Sequence, residues 1–266
     1  MKKYWQIFKI SFQQEFVYRV NFIMWRIRNV LQIFLVFFLW DTIFSDSSKV
    51  IFGYDRAKIL TYVFGLIIVR AVVLSSRSID IAGEVSRGDL SNYLLKPFSY
   101  FKYWFTRDIS SKTLNLIFAT FETFILYILL KPPFFFQNDP TYIILFIISL
   151  FLAVLLFFLI LFLFNLFPLW YPEQAWGPTF LLLIFTEFLG GGTFPLDILP
   201  TFLQKIIYMT PFPYLLFMPI QIYLGKIDVR ASTVSVLTTF VWALFFAFIV
   251  KNVWKLGLKA YRSEGR

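Results

Sequence analysis

Along this chain the hydrophobic residues run in long, almost uncharged blocks rather than in short alternating stretches. A helix needs about 20 mostly apolar residues to cross a hydrocarbon core. Six blocks approach or exceed that length, at about 22–44, 59–74, 114–130, 142–169, 176–189 and 234–253. The fourth is long enough to tilt. The fifth is short and closes on Gly190, Gly191 and Gly192. Ahead of the first block, Trp5, Phe8, Phe12 and Phe16 recur at helical spacing, with Gln6, Lys9 and Gln13 turned away from them. This predicts an amphipathic helix over residues 1–20 lying in the headgroup plane; the alternative is a polar start to the first span. Between the fifth and sixth blocks, Pro195, Pro200, Pro211, Pro213 and Pro219 interrupt an apolar stretch. Proline leaves backbone groups that lipid cannot satisfy, so residues 193–232 are expected to form short broken helices shielded by protein. A seventh span is the alternative.

Composition supports the same solvent. The 266 residues are 59% hydrophobic and 15% charged, with a mean hydropathy of +0.73. Too few polar side chains are present to cover a water-facing surface. The 37 Phe, 14 Tyr and 8 Trp suit lipid contact and interfacial belts. The expected fold class is therefore all-α: a polytopic membrane protein with six transmembrane helices, an N-terminal interfacial helix and broken extracellular helices before the last span. No short apolar core followed by a small-residue cleavage site marks a signal peptide at the N-terminus.

The net charge of +10 follows from how the cations are placed. Of the 25 Lys and Arg, 18 fall in three groups: residues 2–28, the loop from Arg70 to Lys112, and the end from Lys251 to Arg266. The positive-inside rule then puts both termini and the second loop in the cytoplasm, with the lipid bilayer rather than nucleic acid as the basic chain's partner. Without Cys or His, the chain has neither thiolate nor imidazole for metal or nucleophilic chemistry, and no acidic cluster replaces them. No metal site and no catalytic residue is expected.

Three features carry candidate function. In the loop at 75–111, Asp80, Glu84, Arg87 and Asp89 alternate with Ile79, Ile81, Val85, Leu90 and Leu94, and Pro97 ends the pattern. A short amphipathic helix of this kind either docks in a partner's groove or lies on its own membrane domain. Glu122 and Glu187 fall inside apolar blocks, where a charge lines a pathway or packs against a partner. Gly190 to Gly192 permit sharp turning and close helix approach.

The run Ile81-x-x-Glu84-Val85-x-x-Gly88-x-Leu90-x-x-Tyr93-Leu94-Leu95-x-Pro97 resembles the coupling segment of type-2 ABC exporter permeases, a branch of small six-span proteins encoded beside a separate ATPase. Gly191-Gly192-x-x-Pro195-Leu196-x-x-Leu199-Pro200, with Pro211-Phe212-x-Tyr214 and Pro219, is similar to that branch's extracellular segment. Trp254-x-x-Gly257-Leu258-x-x-Tyr261-x-Ser263-x-Gly265 resembles its C-terminal signature. The resemblance implies one permease domain over 1–266 in a prokaryotic inner membrane, paired with itself or a sister permease. It also implies an ABC ATPase subunit docked through Ile81, Glu84, Val85, Gly88, Leu90, Leu95 and Pro97. ATP and Mg would sit on that ATPase, since this chain lacks the run G-x-x-x-x-G-K-[ST]. Gly190, Gly191, Gly192, Pro195 and Pro200 are then expected to form an outer gate. The competing expectation is a secondary transporter or channel using Glu122 and Glu187, although no repeat with matched broken helices is visible in the two halves.

Overall fold

The structure, a computed structural model, describes residues 2–17, 19–46 and 50–261. Lys49, Arg262, Ser263, Gly265 and Arg266, used in the charge count or the C-terminal pattern, lie outside the described residues. All regular elements among those described are helical. In chain order they are α1 (Lys2–Val17), α2 (Arg19–Ile43), α3 (Arg56–Val73), α4 (Asp80–Ser86), α5 (Leu90–Leu94), α6 (Tyr100–Leu130), α7 (Pro140–Phe164), α8 (Gly177–Leu189), α9 (Thr201–Tyr208), α10 (Phe217–Tyr223) and α11 (Val229–Ala260).

Local chemistry sets where these helices begin. Asp55, Ser99, Asp139 and Asp228 each accept a hydrogen bond from a backbone N–H in the first turn of α3, α6, α7 and α11, the preferred use of such residues at a helix start. Pro140 occupies the first turn of α7, where its missing N–H costs nothing. Between α2 and α3, Phe52 and Gly53 both take positive φ in a tight turn closed by reciprocal Ile51–Tyr54 hydrogen bonds.

Four segments are long and apolar enough to cross a membrane: Phe22–Ile43, Tyr100–Leu130, Pro140–Leu169 and Val229–Ala260. A fifth is reached when α3 is taken together with residues Arg77–Ser86, which leave it at a 53° bend. The segment at 176–189, expected as a span, is the 13-residue α8. At 1.5 Å per residue it reaches only about 20 Å, short of a core of about 30 Å. The proline-rich stretch forms short pieces: a 3₁₀ turn at Leu196–Ile198, α9, a second 3₁₀ turn at Phe212–Tyr214, and α10. Leu215, Leu216, Phe217, Ile220, Ile222 and Leu224 are buried, so the bundle itself shields this broken backbone.

α7 is the central helix, touching α3, α8, α10 and α11. Two buried clusters meet along it. One joins α3, α7 and the broken segment, and includes Tyr62, Phe64, Phe157 and Phe217. The other joins α4, the start of α6, the end of α7 and α11, and includes Ile81, Trp104, Phe162 and Val250. The second lies at the end of the bundle that carries α1 and the last turns of α11, the termini end. The loop joining α2 to α3 and the broken segment form the far end.

Candidate functional site

At the termini end, α3 gives way to a 3₁₀ turn (Arg77–Ile79) and then α4. Ile81, Val85 and Leu90 are seated in the cluster with Phe158, Phe162, Leu166 and Leu169. The apolar face that the sequence left open for a partner's groove is thus spent on the chain's own membrane domain. Glu84 also turns inward: it accepts from the Tyr100 hydroxyl at 3.0 Å and faces Arg107 at 3.7 Å. Burial pushes its carboxyl above the ordinary value, opposed by the Tyr100 hydrogen bond and the Arg107 charge. Gly88 stands at φ +80° between α4 and α5, a left-handed turn that a side chain would strain. What projects outward is the tip after α5: Leu95 is 87% exposed, and Leu94, Lys96 and Pro97 are exposed beside it.

The root of this segment is clamped. Lys112 of α6 donates to the carbonyls of Val73 and Ser75, both at 2.8 Å, and lies 3.3 Å from Asp108. Ser76 donates to Asp108, and Arg77 makes a two-point contact with Glu15 of α1. The end of α3, the start of α4, α1 and α6 therefore share one polar knot. α1 itself keeps Trp5, Phe8, Phe12 and Phe16 as one ladder of ring contacts, with Trp5 and Phe16 exposed.

Both intramembrane acids have found cations. Glu122 is gripped at two points by Arg26 of α2, through Nε at 2.6 Å and through Nη2, while Arg26 Nη1 donates to Asn115 at 3.3 Å. Glu187 of α8 accepts from Arg70 of α3, and the same Arg70 nitrogen donates to the carbonyl of Gly192. Arg70 was counted by sequence among the loop cations; it belongs to α3 and is tied to α8. With Glu187 within reach, its charge need not extend to water. Sequence singled out the two acids but not these partners. The available signal was that an ionisable residue inside an apolar span usually pairs with another.

Gly191 and Gly192 pack against α3, and Gly190 against the start of α10. Phe217 N–H donates to the Gly190 carbonyl at 3.0 Å, and the Tyr62 hydroxyl donates to the Gly191 carbonyl. Gly191 has φ +78°, and an added Cβ would stand 2.9 Å from the Tyr62 hydroxyl and 3.0 Å from Phe217 Cβ. A Cβ on Gly192 would run into Arg70 and Glu187. Pro195 and Pro200 follow as the residues that open the first 3₁₀ turn and α9. Between them Asp197 accepts from Tyr54 at 3.0 Å and from Lys226 at 2.7 Å. Lys226 also donates to the Phe52 carbonyl and lies over the Tyr54 ring. Burial lowers its ammonium from the ordinary value in spite of Asp197. The structure thus places the expected coupling residues at the termini end and holds the expected gate glycines alongside α3, through Tyr62 and through Arg70 of its last turn. Among the described residues no group of three acidic side chains converges on a metal-sized site.

Two comparisons bear on this arrangement. No curated protein matches the chain. Residues 30–265 match the family model described as ABC-2 family transporter protein, which takes in α3, the segment at 75–99, the glycine turn and the whole of the last helix. Membership implies a permease subunit, a chain that is not itself the ATPase. With several apolar helices and this match over most of its length, the chain is a multi-pass membrane protein belonging to the ABC-2 transporter family.

Proposed function

We propose that the chain is the membrane subunit of an ATP-driven exporter in a prokaryotic inner membrane. Both termini face the cytoplasm, and α8, shorter than a lone span needs, is counted as the sixth because neighbouring protein covers its ends. A separate ABC ATPase carrying ATP and Mg docks at the termini end, and a second permease, identical or a sister chain, completes the pathway. The observation carrying this reading is the division of labour in the segment at 75–99. Its Ile81, Val85 and Leu90 side is locked into the core of α6, α7 and α11, while the side chains of the Leu94–Pro97 tip are exposed, with Lys3 of α1 donating to the Pro97 carbonyl at 2.8 Å. A lever needs both features: an exposed point to be pushed and a rigid attachment that passes the push on. Glu84, held by Tyr100 and Arg107, is part of the attachment.

The glycine turn supplies the responding part. The glycine turn is hydrogen-bonded to Tyr62 and Arg70 of the same α3 that bends into the lever. Movement of α3 along or about its axis reaches the turn through those bonds. Export follows if the turn, Pro195 and Pro200 cap the pathway from outside.

The test is co-purification of the ATPase encoded beside the chain, together with its hydrolysis rate. Leu95→Glu is expected to release the ATPase while the permease stays folded, because Leu95 supports no core contact. Glu84→Arg, and replacement of Gly88 by a bulky residue, are expected to leave the ATPase bound but uncoupled. Full co-purification and full substrate-stimulated hydrolysis in all three variants would show that this segment is not the docking point.

A further inference from the structure

A cavity of about 530 Å³ opens at the termini end, between the last turns of α1, the α4 segment, Arg107 of α6 and the start of α8. Its size falls within the range of small-ligand sites, roughly 300–1,000 Å³. Three guanidinium groups line it, those of Arg77, Arg87 and Arg107, against the carboxylates of Asp80 and Glu84. They are not equally committed. Arg77 is gripped by Glu15, and Arg107 packs over the Trp104 ring and faces Glu84. Arg87 makes a solvent-exposed pair with Asp89 at 3.1 Å, a kind of contact worth little, and its charge also acts on Asp80. Its guanidinium lies over Gly83, where an added Cβ would stand 3.0 Å from Nη1, so the glycine leaves that side of the cavity open to it.

The opposite wall is the first turn of α8. Trp176, Thr179 and Ala175 line it, and no side chain caps this helix start. The partial positive charge of the helix end therefore adds to that of Arg87. The rim is apolar: Trp176 is 70% exposed and Val17 is 72% exposed. From Trp176, exposed Phe180, Ile184 and Phe188 continue up α8 at four-residue spacing toward the glycine turn.

We propose that this cavity binds the phosphate-bearing headgroup of an amphiphile, with its apolar tail along the Trp176–Phe180–Ile184–Phe188 stripe. This assigns a substrate class, an anionic amphiphile taken from the inner leaflet, and rests on the permease reading above. The headgroup replaces Asp89 as the partner of Arg87, a charge-assisted exchange with little to displace. The tail meets the exposed aromatic and aliphatic side chains of this stripe.

The full-length chain in phosphatidylcholine nanodiscs tests this, with lipids brominated in the acyl chain as probes. The signal is the difference in tryptophan quenching between the wild type and Trp176→Phe. Brominated phosphatidylglycerol is expected to half-quench Trp176 at about one tenth the mole fraction that brominated phosphatidylcholine needs, the ratio one strong charge-assisted contact supplies. Arg87→Ala, at an exposed position, is expected to bring the two lipids within about twofold of each other. Equal quenching by the two lipids in the wild type, or an unchanged preference in Arg87→Ala, overturns the proposal. Relief of the phosphatidylglycerol signal by millimolar inorganic phosphate alone would identify a soluble anion as the ligand and overturn the amphiphile. Co-purification of the ATPase is read separately, so loss of the permease reading and loss of the headgroup site give different results.

Discussion

The pairs Arg26–Glu122 and Arg70–Glu187 each join two helices through an arginine and a glutamate inside apolar segments, yet they are built differently. Arg26 spends all three guanidinium nitrogens on side chains, Glu122 and Asn115, and the pair is nearly closed to solvent at 11% and 14% side-chain exposure. Arg70 divides one nitrogen between Glu187 and the backbone carbonyl of Gly192, leaves its buried Nε without a partner, and is about a quarter exposed. The first pair is saturated and fastens α2 to α6. The second is incomplete and holds a turn rather than a helix face. A saturated pair resists every displacement, whereas an arginine shared between a carboxylate and a turn can release one while keeping the other. That contrast is why we place the moving part of the protein at Gly190–Gly192 and its fixed frame at α2 and α6.

The largest effect expected from this contrast is on transport. The double variant Gly191→Val, Gly192→Val puts a branched side chain at a positive-φ position against Tyr62 and Phe217, and another against Arg70 and Glu187. Transport into inverted vesicles should fall to background while the ATPase still co-purifies, since none of the groups that meet these two glycines belongs to the proposed docking tip at Leu94–Pro97. Normal transport in a well-expressed double variant would reduce the glycines to a dispensable turn.

Next in size is the frame. Arg26→Ala leaves Glu122 as an uncompensated buried charge and should cost about 3–5 kcal/mol, read from thermal unfolding in detergent. Arg26→Leu together with Glu122→Leu should recover most of that loss and transport normally, because a saturated pair is replaceable by packing. A double variant that folds well but does not transport would instead put the pair in the pathway.

The gate pair should respond the other way round. Arg70→Gln is expected to cost only about 1–3 kcal/mol, as a partly exposed group loses charge-assisted hydrogen bonds, while transport falls severalfold. Exchanging the charges, Arg70→Glu with Glu187→Arg, restores an ion pair but removes the donor to Gly192. Stability should therefore return without transport. Recovery of both would show that the Gly192 carbonyl contact has no role.

The smallest effect is a pH dependence at Glu84. Its carboxyl titrates above the ordinary value near 4.5 in the folded chain, chiefly because it is buried. Between those two values the folded state holds a proton that the unfolded state has lost, so stability falls as pH rises through that window and recovers on acidification. Glu84→Gln should flatten this part of the stability profile. A profile that stays unchanged would mean that the carboxyl is ionised in the fold at no cost.

Much of the fold was legible because its causes are local. The apolar blocks at 22–44, 142–169 and 234–253 correspond to α2, α7 with the 3₁₀ turn Phe167–Leu169 that follows it, and α11. Pro195, Pro200, Pro211 and Pro219 break the backbone by removing donors wherever they stand, so the short pieces before the last helix were foreseeable. The third block, 114–130, was read too short: α6 begins at Tyr100, since its first turns carry Lys102, Arg107, Asp108 and Lys112 and look like loop. Three of those polar side chains are used inside the fold, Lys112 on the end of α3, Asp108 on Ser76 and Arg107 against Glu84.

Which helices exist, where they start and that their solvent is lipid were therefore determined by the sequence itself, through hydropathy, capping residues and proline. Only the tertiary structure decided what each charge does. Arg26 meets Glu122 across 96 positions, and Arg70 meets Glu187 across 117. Neither partner is marked by spacing, because residues that far apart are brought together by helix packing alone. Glu84 teaches the same at shorter range: its periodicity placed it on an amphipathic helix, but the docking of Ile81, Val85 and Leu90 onto α7 turned it toward Tyr100 and Arg107 and left Leu95 as the side chain that faces outward.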